Sequence, residues 1–127
     1  MSIETVLFNR LKTYPGLTAI ISARVYAVIA PDEATKPYVT YQKISPGRDY
    51  SHSGYSGLQK PRIQINSYAM TYEEAEAIDT QVTAALESWV GQDTVQAVFK
   101  DGEREGYERD NELYYRSSDF FIANGKS

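Results

Sequence analysis

Apolar positions along the chain change period several times, and each change marks an element. Ile3, Val6, Leu7 and Leu11 recur at helical spacing behind Ser2, a residue suited to cap a helix. Pro15 and Gly16 predict the end of that helix, and Leu17, Ala19, Ile20 and Ile21 allow one more short turn. Arg24 to Val28 reads as extended, because Val25 and Tyr26 favour strands. "APDEATKP" (30–37) is a loop with a proline near each end, and it leads into the strand "YVTYQKIS". "RIQINSY" (62–68) is the next strand. Its Ile63 and Ile65 face one way while Arg62, Gln64 and Asn66 face the other, so one face is expected to be wet.

"MTYEEAEAIDTQVTAALESWVG" (70–91) carries the strongest local signal. Thr71 and Glu74 form a capping box, and Glu73, Glu74 and Glu76 sit where a helix dipole favours anions. Ala75, Ile78, Val82, Leu86 and Trp89 lie on one stripe, and Gly91 is placed to end the helix. A helix over about 71–90 should therefore cover one face of a sheet. "TVQAVFK" reads as a strand, "DGEREG" as a turn and "ELYYRSSDFFIA" as a long final strand of period two. Runs of adjacent strands predict an α+β fold. The expected form is a mainly antiparallel sheet of four to five strands, with the N-terminal helix and the longer helix packed on it. Residues 1–127 are expected to make one domain.

Composition narrows the chemistry. A hydrophobic content of 42% can fill one core, and a formal charge of −4 argues against a dedicated nucleic-acid binder. The absence of cysteine removes disulfides, thiolate zinc sites and thiol nucleophiles. No basic segment precedes an apolar run at the N-terminus, and no run approaches the roughly 18 residues that span a bilayer. A soluble protein made in a cytoplasm, with no membrane contact, is the expectation. Eleven tyrosines stand against four phenylalanines; tyrosine suits both strands and half-wet interfaces.

"RDYSHSGYSGLQKPR" (48–62) holds the single histidine. His52 lies among Ser51, Ser53 and Asp49, yet a hydrolase triad needs partners converging from a supported scaffold, and neighbours on a loop do not supply that. No G-x-S-x-G motif and no phosphate-binding loop occurs. Asp101, Glu103 and Glu105 place their glycine wrongly for a calcium loop. No catalytic residue, metal or cofactor is expected. Residues 48–60 form a long inter-strand connection. Arg48, Tyr50, His52, Tyr55, Lys60 and Arg62 are its candidate interface residues, with His52 a passenger. Residues 101–112 hold six acids and two arginines, a local −4. This segment is either a solvated turn or an acidic lip facing a basic partner or passing DNA. In the second case Asp101, Glu103, Glu105 and Glu108 line it.

Several segments taken in order carry a resemblance: "ETVLFNRLKTYPGLTAII", "RVY" at 24–26, "KPYVTYQKIS", "RIQINSYAMTYEEAEAIDTQVTAALES" and the closing "RSSDFFI". Together they resemble the tail completion or tail terminator proteins of long-tailed bacteriophages. The resemblance implies a structural virion protein without enzyme activity. It implies a homo-oligomeric ring, a hexamer, at the head-proximal end of the tail tube. That ring would stop tube polymerisation, touching the tail tube protein on one face and the head–tail connector (stopper) on the other. Double-stranded DNA would cross the lumen without specific binding, and assembly would take place in the host bacterial cytoplasm. The rivals are another neck ring (head-closure or adaptor) and a small cytoplasmic ligand-binding or enzyme domain.

Overall fold

The structure, a computed structural model, describes residues 3–31, 33–44, 58–59, 61–92 and 95–125. Helices α1 (Ile3–Thr13) and α2 (Pro15–Ile21) open the chain, followed by strands β1 (Val25–Ala27), β2 (Tyr38–Ile44), β3 (Leu58–Gln59) and β4 (Arg62–Ala69). Helix α3 (Tyr72–Glu87) and strands β5 (Val95–Glu108) and β6 (Leu113–Gly125) complete it. The fold is α+β, as expected.

Pro15 ends α1 and also starts α2. It stands in the first turn of α2, where its missing N–H costs nothing. Gly16 accordingly lies inside a helix rather than beyond one. The predicted capping of α3 is seen in the Glu74 amide donating to Thr71 Oγ1 at 3.1 Å. Ser2, the expected cap of α1, lies outside the described residues.

All strands join one sheet, in which β2–β4, β4–β6 and β6–β5 are antiparallel and β1–β2 is parallel. The sheet is thus mixed. Two-residue β3 adds no lane. Leu58↔Gly125 and Gln59↔Asn124 keep the register of Arg62↔Phe121, so β3 and β4 follow one another along the same side of β6. The hydrogen bond from the Ile122 amide to the Pro61 carbonyl bridges their junction. Five lanes result, in the order β1, β2, β3/β4, β6, β5.

One expectation fails here. "DGEREG" is not a turn, because residues 101–106 lie within β5 and pair with β6 from Gly102↔Asp119 to Gly106↔Tyr115. The chain reverses instead at 109–112. Two bulges, at Val95/Ala97 and Lys100/Gly102, let β5 follow β6 along its length.

Helices α1, α2 and α3 pack on one face of the sheet. Leu7, Leu11, Leu17, Ile21, Ile78, Val82 and Leu86 are fully buried against Val39, Ile63, Ile65, Phe120 and Ile122. Each such side chain contributes about 1.5–3 kcal/mol by leaving water. The whole predicted stripe of α3, including Trp89 just beyond its end, is buried. Arg10 pins α1 to the end of α3, its Nε donating to the Ala85 carbonyl at 3.0 Å and its Nη2 to Ser88 Oγ at 2.8 Å.

Candidate functional site

Period two on β6 sends Tyr114, Arg116, Ser118 and Phe120 towards the helices and Tyr115, Ser117, Asp119 and Phe121 to the opposite, open face. Each face carries a polar constellation.

On the helix side a charged cluster ties α3 to β5 and β6. Asp79 is buried in mid-helix and accepts from Ser118 Oγ at 2.6 Å and from Lys100 Nζ at 3.2 Å. Arg116 reaches Glu103 at 2.6 Å, Glu76 at 3.5 Å, Glu105 at 3.6 Å and Asp79 at 3.7 Å. Lys100 also pairs with Glu103 at 2.8 Å. Burial alone would lower the Lys100 ammonium, but the Glu103 hydrogen bond and the Asp79 carboxylate outweigh it and raise its pKa. The Lys100 hydrogen bond, more than the nearby Arg116 charge, holds the Glu103 carboxyl below its ordinary value. The Tyr72 hydroxyl donates to the Glu105 carboxylate at 3.0 Å and stacks edge-on with Tyr114.

On the open face four tyrosines from four strands form a row. Ring centroids are 5.9 Å apart for Tyr26–Tyr38, 5.1 Å for Tyr38–Tyr68 and 6.2 Å for Tyr68–Tyr115. The row ends over Gly106, where a Cβ would lie 2.6 Å from the Tyr115 hydroxyl oxygen. Burial first, and Glu108 second, raises the pKa of Tyr38 and Tyr68. Above this floor lie two hollows of about 460 and 470 Å³, both bordered by Val28, Tyr68 and Glu108. Beside them Ser117 Oγ and Asp119 Oδ1 are buried without a hydrogen-bond partner among the described residues.

The predicted site residues fall as follows. Arg48, Tyr50, His52, Tyr55 and Lys60 lie outside the described residues. Arg62 opens β4, clamps Asp119 at 2.7 Å and Asp101 at 2.8 Å, and covers the Phe121 ring at 5.2 Å. The four acids are not a single lip. Glu103 and Glu105 point to the helix side and hold Arg116, whereas Asp101 and Glu108 belong to the open face. Asp79, Lys100 and Arg116 were missed as a constellation. The available signal was an acid at a mid-helix position beside the apolar stripe, together with charges of period two on β5 and β6.

Among the described residues no group of three or more histidines, cysteines or carboxylates could hold a metal ion, and no helix is long and apolar enough to cross a membrane. The carboxylates of the helix side are held by cations and hydroxyls, an arrangement that locks elements together. The sheet thus has two differently surfaced faces. Comparison with known proteins supplies the family. The profile described as Tail completion protein gp17 matches residues 5–123, and the chain belongs to that family of phage tail structural proteins. A chain of the virion of a native gene transfer agent particle shares its fold with a TM-score of 0.71 at 14% identity, over 98% of this chain and 96% of that one. A crystal structure from Akkermansia muciniphila aligns over 99% of this chain and 79% of that one, but only at a TM-score of 0.43 and 11% identity, too low to carry an argument. No curated protein matches. The chain is thus similar to components of phage-like virions.

Proposed function

We propose that the chain forms a hexameric ring at the head-proximal end of a phage tail tube, where it ends tube polymerisation and gives the head connector its docking surface. The family match over residues 5–123 carries this reading. The physics agrees. Stopping a polymer requires a subunit whose two ends differ, plus lateral contacts that join unlike patches of neighbouring copies. A sheet with helices on one face and a tyrosine-floored groove on the other supplies unlike surfaces without any chemistry.

Deletion of the gene in its phage tests the proposal. Overlong or capsid-free tails are expected. DNA leaking from filled heads would instead assign head closure, and normal virions would overturn both neck roles. Within this reading the 48–60 connection lies at a subunit or ring-to-ring contact. Shortening residues 48–57 to a tight turn should leave a folded monomer that no longer joins tails, and wild-type titre from that variant would refute the contact. Glu108, Asp110 and Glu112, at the β5–β6 reversal, rim the lumen, where like charge keeps DNA moving.

A further inference from the structure

Strand β5 is 14 residues long and, among the described residues, has β6 as its single partner. Among the described residues no other backbone bonds its outer side from Gln96 to Glu108. Residues 99–105 are exposed, and no described residue covers that margin. A long open edge is a template for another chain, and its two bulges and alternating charges restrict which chain it accepts.

The opposite margin, built on β1, is also an end lane of the sheet and matches it in apolar surface. Exposed Val28 (63%) and Ile29 (76%) follow β1, while exposed Phe99 (55%) and Tyr107 (48%) sit on β5. Each copy therefore carries both halves of a head-to-tail contact, the kind that closes into rings.

We propose that the β5 margin of one copy seats on the β1 margin of the next copy of this chain, an assignment that rests on the ring reading above and gives it a lateral interface. β2, β4, β6 and β5 alternate in direction and β1 is parallel to β2, so β5 runs against β1. In a ring whose axis follows the strands, the two margins meet antiparallel, the pairing that is slightly the more stable per residue.

The lack of cysteine makes the test clean. Ala27→Cys is combined in one chain with Phe99→Cys, Gly102→Cys or Tyr107→Cys, and the phage is grown on each variant. β1 and β5 lie four lanes apart, about 19 Å at ~4.8 Å per lane, beyond the ~7 Å reach of a disulfide. A bridge therefore joins different copies. Non-reducing gels of oxidised, infectious particles should show a ladder of covalent oligomers for at least one pair. Single-cysteine chains that support infection serve as the folding control. If particles hold several copies in a ring by electron microscopy and no pair bridges, the margin contact is overturned while the ring stands. If particles hold one copy, the ring reading itself fails, and this contact with it. Equal bridging by a control pair, Thr18→Cys with Thr80→Cys, would mean random collision and would also overturn the contact.

Discussion

Asp79 is the residue on which the helix side turns. It is a carboxylate 5% exposed, in the middle of an otherwise apolar helix face. Ser118, Lys100 and Arg116 approach it from two strands, so it fixes how α3 lies across β5 and β6. Replacing it by alanine should cost about 2–4 kcal/mol. That is at the low end for a broken buried pair, because Glu103 and Glu105 still hold Arg116. Thermal unfolding should fall by about 6–12 °C; an unchanged midpoint would show the cluster to be decorative. Glu103 makes a pH prediction. Its pKa in the folded state lies below the ordinary 4.5. Its stabilising share is therefore present above the unfolded value and is lost as pH falls through the depressed one. Urea unfolding followed from pH 6 to pH 3 should decline on the acid side, and Glu103→Gln should flatten that decline. None of this was legible residue by residue. An aspartate at position 79 looks like any solvated helix charge until the sheet brings Lys100 and Ser118 beneath it.

At the scale of elements, long periodic patterns were legible and composition misled. The stripe Ala75, Ile78, Val82, Leu86 and Trp89 named α3 and its buried face correctly, because 3.6-residue spacing reports burial directly. "DGEREG" named a turn, since glycine and charge are turn-like locally. Cross-strand pairing with β6 overrode that preference, and the ion pairs of Glu103 and Glu105 with Arg116 hold the segment extended. The alternating acids at 103 and 105 were a period-two signal visible in the chain, but Arg116, which they share, stands on another strand. The cap of α3 is the simplest element to test. Thr71→Ala removes the acceptor for the Glu74 amide and should cost about 1 kcal/mol. The single tryptophan, Trp89, is fully buried beside the end of the helix. Its emission should therefore report the loss in a denaturant melt, and a midpoint equal to that of the unsubstituted chain would refute the cap.

At the scale of the whole molecule, the open face and the two margins are the surfaces the proposed ring uses. Glu108, Asp110 and Glu112 have no ion-pair partner among the described residues, unlike Glu103 and Glu105. In the proposed ring these are the acids that meet passing DNA. Changing all three to lysine should slow DNA ejection, most at low salt, where phosphate attraction is least screened. Unaltered ejection kinetics at low salt would make the hairpin end an ordinary solvated turn. Fold class, the α3 stripe and the family were readable from the chain; the assignment of acids to faces required the register of β5 on β6.

Strand β6 has one more consequence. It is the last strand of the described chain and also the one that β3, β4 and β5 all lean on. A ribosome that stalls before Leu113 releases a polypeptide whose strands have lost their shared partner. Such a fragment keeps at most the β1–β2–β4 pairings and has nothing to hold a β5 margin in place.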